Sequence, residues 1–376
     1  MKQFTKNLKQ FIPLSVLLVM GKKGEKYKMR SITTPLGLTA IIAIVIGLFN
    51  FTNIATEANL LGLFFILLLL TLFIHELGHA LFAISAGYRF NYLTIGPITF
   101  ENTDRFRIKR NDSWFLFGGV ASCSPKSSDL TSIDKQHKLF VAGGPIFSIV
   151  AAIISLLVGI SSDIDMFTYF GIFNFVIFFA TILPYQQGAL KSDGRVLLEL
   201  SKGRKETEEL LTILLLIKEM NSPIHPSNWS EDLIERAKAL KTTVENVTVG
   251  YILFYYMLLK EGYENASATI EPYKQLPVTK QNKFALQFIN HIRQIDLVLK
   301  GEHDEASIDA FHQLFSPIEP LSYKRSEAIL AKIKGDEQQA TRKLSEVLKE
   351  IDKGKKQFGF YYAEEQLTHV LMNEIG

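Results

Sequence analysis

The chain has 376 residues, 47% hydrophobic and 21% charged, with a formal net charge of +3. That length suffices for two domains, and so small a charge argues against a nucleic-acid partner held by a basic surface. The single cysteine, Cys123, excludes an internal disulfide and a cysteine-based metal site.

Hydropathy divides the chain. Residues 1–190 are densely apolar and rich in Phe, Ile and Leu, whereas 195–376 are charged and read as soluble. The first residues carry Lys2, Lys6 and Lys9, then the apolar run Phe11 to Met20, then Lys22, Lys23, Lys26, Lys28 and Arg30. No small-residue cleavage site follows that run, which speaks against a signal peptide. It is too short to span a bilayer, so residues 1–35 are expected to form a basic interfacial segment.

Four spans are predicted in a transmembrane domain over residues 36–200. The first runs from Leu36 to Thr52, just after Pro35, a favoured helix-start residue. The second, Asn59 to Gly87, contains His75-Glu76-Leu77-Gly78-His79. Histidines at i and i+4 share a helix face and can grip one metal ion. The glutamate between them suits a general base for metal-activated water. Ionisable groups are costly in hydrocarbon, so their clustering there points to function.

After this span, Tyr92–Phe100 and Arg105–Lys109 are β-rich, with Asn102-Thr103-Asp104 as a turn. A small hairpin is expected, either re-entrant or cytosolic, and Phe115–Gly119 is expected to dip back toward the interface. The third span, Leu139 to Ile160, contains Gly143-Gly144-Pro145-Ile146-Phe147-Ser148, read as a close-packing segment. The fourth runs from Met166 to Pro184. A catalytic zinc takes three protein ligands and keeps one position for water. Asp193, in Ser192-Asp193-Gly194, is the candidate third ligand, its glycine permitting a sharp bend. A plain turn at a membrane exit is the alternative. Gln186-Gln187 and Lys191-Ser192 are candidates for the mouth of a water channel.

Residues 205–376 are expected to form a soluble helical domain. Gly262, Gly301 and Gly335 are followed by Ala266, Ala306 and Ala340, at spacings of 39 and 34 residues. Those spacings are near the tetratricopeptide period, so TPR-like hairpins docking a protein partner or gating the site are one reading. An ordinary helical domain is the other. The remaining histidines lack metal-ligand spacing. Positive charge sets the orientation. Residues 1–30 and the loop 89–138 each carry eight Lys or Arg, whereas 53–58 and 161–165 carry none. The N-terminus, that loop and the C-terminal domain are therefore expected to be cytosolic.

These motifs resemble the site-2 proteases. That family carries HExxH on one helix and an aspartate from an Asn-x-x-Pro…Asp-Gly motif on a later one. Here Pro184 and Asp193-Gly194 match. Thr181 stands where the family has asparagine, and four extra residues separate Pro184 from Asp193. The resemblance covers roughly residues 59–200. It implies an all-α, polytopic transmembrane helix bundle with a small re-entrant β-hairpin, followed by the soluble α-helical domain. It implies Zn²⁺ held by His75, His79 and Asp193, Glu76 as general base, and Thr181 and Pro184 in substrate binding. The expected activity is intramembrane zinc-dependent hydrolysis of a peptide bond in a membrane-anchored protein or leader peptide, within the lipid bilayer of the cell membrane. A catalytically silent scaffold binding a partner through residues 205–376 is the alternative. A zinc transporter or sensor is a third reading, weakened by the lack of an inverted repeat.

Overall fold

The computed structural model describes residues 34–376, apart from 103–104, 112, 128, 188–189, 302–303, 318, 356 and 376. Residues 1–33 of the basic segment, two residues of the predicted turn, and His303 thus lie outside the described residues. The chain forms two compact units divided within a helix between Leu211 and Thr212.

In the first unit, helix α1 spans Pro35–Phe49, with the Thr34 hydroxyl accepting from the Gly37 amide at 3.2 Å. Helices α2 (Ala55–Ser85), α3 (Leu130–Ser162) and α4 (Asp165–Ile182) are long and apolar enough to cross a membrane. The first predicted span, Leu36 to Thr52, coincides with α1, which is apolar but shorter than expected. At 15 residues α1 is about 22 Å long, short of the roughly 30 Å core of a bilayer. The chain leaves the helix at Asn50, whose carboxamide exchanges hydrogen bonds of 3.3 and 2.7 Å with Asn59 of α2.

Small residues bring the long helices together. A Cβ added to Gly143 would lie 2.4 Å from the Gly78 carbonyl oxygen, so α2 and α3 touch backbone to backbone there. Within the same bundle, Asn174 of α4 donates to Thr71 of α2 at 3.4 Å, and both are buried.

The predicted hairpin is a four-stranded antiparallel sheet in the order β3-β2-β1-β4. Its strands are β1 (Arg89–Ile95), β2 (Ile98–Asn102), β3 (Phe106–Arg110) and β4 (Val120–Ser124). The run Tyr92–Phe100 is two strands because Gly96, at φ +50°, turns the chain at Gly96-Pro97. Asn111 clamps that turn through its amide to Pro97 O at 2.7 Å and its side chain to Gly96 O at 2.8 Å. Strand β4 escaped prediction because Ala, Ser and Cys carry little strand signal. Leu93, Ile95 and Ala121 cover Leu72, Phe73, Leu77 and Ala80, so the sheet is fastened along α2.

The short ribbon β5 (Gln186–Gln187) and β6 (Leu190–Lys191) precedes α5 (Asp193–Lys202). Helix α6 (Arg204–Met220) contains the boundary between the units.

The second unit is helical. Its elements are α7 (Glu231–Lys238), α8 (Val247–Glu261), α9 (Tyr263–Thr269), α10 (Glu271–Lys274), α11 (Gln287–Leu299), α12 (Glu305–His312), α13 (Pro320–Ile333), α14 (Glu337–Gly354) and α15 (Tyr361–Ile375). Gly262, Gly301 and Gly335 follow α8, α11 and α13 with φ of +87, +66 and +79°, a left-handed exit that favours glycine. Ala266 and Ala340 are buried in the helices that follow, whereas Ala306 is exposed and Ile308 takes the inward place. The core holds an ion pair. Arg325 lies 2.6 Å from Glu364, both side chains are at most 3% exposed, and Arg325 Nε donates to His291 at 3.1 Å.

Candidate metal centre

Residues from α2 and α5 meet in the first unit. His75 and His79 are one turn apart, and their Nε2 atoms approach to 3.2 Å. Asp193 Oδ2 lies 3.2 Å from His75 Nε2 and 3.5 Å from His79 Nε2. Four-coordinate zinc with bonds of about 2.0–2.1 Å holds its ligand atoms about 3.3 Å apart. The donor set, two imidazoles and a carboxylate, is one that a catalytic zinc accepts. The three residues therefore fit such an ion in spacing and in chemistry.

The remaining ring nitrogens are tied down. His75 Nδ1 lies 3.0 Å from Ser148 Oγ, and His79 Nδ1 lies 2.9 Å from the Phe140 carbonyl oxygen, both on α3. An Nδ1–H donating to each leaves both Nε2 lone pairs facing Asp193. The segment 143–148 thus does more than pack helices. Gly143 and Gly144 permit the close approach, and Ser148 reaches a candidate ligand. Serine three residues beyond proline in an apolar helix was the one available signal.

Asp193 returns to the histidines despite the four extra residues. The excursion is closed by Ser192, which is buried. Its amide bonds Tyr185 O at 3.1 Å, its hydroxyl donates to Leu183 O at 2.7 Å and accepts from the Tyr185 amide at 3.1 Å. The same oxygen caps α5 by accepting from the Arg195 amide at 3.2 Å. Gly194 serves by size rather than by bending. A Cβ there would fall 1.7 Å from the Ile182 carbonyl oxygen, so only glycine lets the start of α5 press against the end of α4. Burial works against ionising Asp193, but hydrogen bonds to His75 and His79 outweigh it and hold the carboxyl down at about 2.

Glu76 turns from the same helix toward β4. A Cβ on Gly119 would lie 3.0 Å from its Oε1. The structure does not gather the other two predicted residues at this point. Thr181 donates to Phe178 O of its own helix at 3.3 Å, and Pro184 is exposed beyond the end of α4.

The profile of Peptidase family M50 matches residues 63–359. The match runs well beyond residue 200, where the motif resemblance had been expected to end. No curated protein and no solved structure matches the chain. A profile that takes in the histidine helix, the Asp-Gly pair and most of the helical unit shows that the chain belongs to Peptidase family M50, the site-2 protease family of metalloproteases.

Proposed function

We propose that the protein is an intramembrane zinc metalloendopeptidase that hydrolyses a peptide bond in a membrane-anchored protein or leader peptide, the chemistry of regulated intramembrane proteolysis. The observation that carries this reading is the spacing of 3.2, 3.2 and 3.5 Å among the facing atoms of His75, His79 and Asp193. Bound zinc supplies a Lewis acid and a water acidified enough to ionise near neutral pH. His75, His79 and Asp193 hold the ion, and Ser148 and Phe140 O orient the imidazoles. Glu76 accepts the proton from the water and delivers it to the leaving amine nitrogen as the C–N bond breaks.

A helical substrate hides its backbone groups and must unwind before cleavage. The outer edge of β4 supports its capture as an added strand, because β4 ends the sheet and runs past Glu76. Thr181 and Pro184 flank the substrate in this reading. Charge places the N-terminus, the loop 89–138 and residues 205–376 in the cytosol. His79 then lies six residues, about 9 Å, inside the cytosolic end of α2. The three helix–glycine–helix turns support a TPR-like stack that docks a protein partner.

The test is Glu76→Gln. The variant is expected to retain zinc and to lose cleavage, seen as uncut membrane proteins accumulating relative to wild type. Unchanged cleavage in that variant, with loss only on deleting residues 205–376, would favour the scaffold instead.

A further inference from the structure

The open edge of the sheet lies beside the metal ligands. At about 100° per residue, Phe73, Ala80, Glu76, His79 and His75 follow one another around α2 in that order. The sheet wraps the same way. Phe100 of β2 meets Phe73 with ring centroids 6.1 Å apart, Leu93 and Ile95 of β1 pack on Ala80, and Gly119, just before β4, comes up against Glu76. The strand order β2-β1-β4 therefore runs around α2 toward the histidines. One more strand, about 4.8 Å beyond β4, falls over His79 and His75.

The two faces of that edge differ. Ala121 packs toward α2, beside Leu93, with which it pairs. Ser122 and Ser124 point the other way, because a strand alternates its side chains. Asn91, at the irregularity in the β1–β4 register, ties them together there. Its Nδ2 donates to Ser124 Oγ at 2.7 Å and to Ser122 Oγ at 3.4 Å. Both serines are half-buried. A hydroxyl that accepts one hydrogen bond can still donate another. Strand β4 thus offers a neighbour two small hydroxyls on one face and the small apolar Ala121 on the other. Side chains directly across a strand pair touch, and hydroxyl pairs among them hydrogen-bond.

Building on the peptidase reading and on strand capture at β4, we propose that Ser122 and Ser124 are specificity-determining residues. They select a substrate segment with serine, threonine or asparagine at alternate positions, on the side away from α2. The intervening side chains face α2 and the metal ligands. A polar side chain is costly in hydrocarbon and gains partners on reaching these serines. The same residue types compete with a helix's own backbone bonds, so a segment that carries them also unwinds more readily. Unwinding and recognition thus favour the same substrate sequences.

The experiment uses full-length protein, purified in detergent with zinc, and a quenched fluorogenic valine-rich peptide that wild type cuts. Threonine, close to valine in size, replaces valine at one peptide position at a time. Wild-type kcat/KM is expected to rise about two- to fivefold at two positions separated by one residue, and not at the residue between them. Ser122→Ala is expected to erase the gain at one of the two and Ser124→Ala at the other. Zinc affinity and kcat/KM on the parent peptide are expected to be kept in both variants. Absence of the alternation in wild type overturns the proposal, as do gains that survive in either variant or a loss shared equally by valine and threonine peptides. Glu76→Gln separates the two levels. If it is inactive while the serine variants keep the wild-type preference, only the serine role falls. If it cleaves as wild type does, the peptidase reading falls and the serine role with it.

Discussion

Replacing Gly144 by alanine tests whether the metal centre depends on how closely α3 approaches α2. A Cβ at this position would lie 2.3 Å from His79 Nε2, 2.6 Å from Cε1 and 2.7 Å from Cδ2. Comfortable contact between such atoms begins near 3.5 Å, so the imidazole must retreat by roughly 1 Å. It cannot slide freely, because Nδ1 is held 2.9 Å from Phe140 O. Pivoting about that bond swings Nε2 away from His75 and Asp193. Metal–ligand bonds tolerate only about 0.2 Å of error, so the displacement is several times what coordination accepts. Zinc affinity is expected to fall at least about 100-fold, the upper end of what losing a mere supporting partner costs. The assay is competition against a chromophoric chelator on detergent-purified full-length protein. Gly47→Ala serves as the control, since nothing lies within 4 Å of a Cβ there. Zinc affinity for Gly144→Ala within threefold of the control would refute the reasoning.

Two further outcomes follow from measured contacts. Ser148→Ala keeps a small side chain between the helices but removes the partner of His75 Nδ1, so zinc affinity should drop about 10- to 100-fold. Cobalt(II) titration followed by its visible absorption checks this, and wild-type affinity in the variant would contradict it. In the helical unit, Glu364→Gln strands the buried Arg325 guanidinium and should cost about 3–5 kcal/mol, whereas Arg325→Met with Glu364→Leu should recover most of it. Urea unfolding of that unit's signal reads both variants, and equal stabilities for them would contradict the ion-pair account.

The parts legible in the sequence share one property, which is that their information is local. His75 and His79 fall on one face because a helix repeats every 3.6 residues. The long helices announce themselves through unbroken apolar runs. Gly262, Gly301 and Gly335 mark helix ends because little else adopts a positive φ cheaply. Errors arose where a contact distant in sequence decided the outcome. Strand β4 is held by pairing with β1 and not by its own residues. The run Tyr92–Phe100 breaks in two where Asn111 bonds the carbonyls of Gly96 and Pro97. Helix α1 stops early at an asparagine that pairs with Asn59. Gly194 had a conformational role in the sequence reading, but its lack of a side chain is what matters, because Ile182 O lies where a Cβ would be.

Composition and motif alone determined that an HExxH pair sits inside an apolar helix and that a second, polar helical half follows it. Both depend on spacing along the chain, which the sequence carries directly. Only the tertiary structure decided that Asp193 returns to within 3.2–3.5 Å of both imidazoles and that Ser148 and Phe140 O orient those rings. Each depends on helices and strands far apart in sequence meeting at sub-ångström tolerance, and the packing of glycine against backbone, rather than any local propensity, sets that meeting.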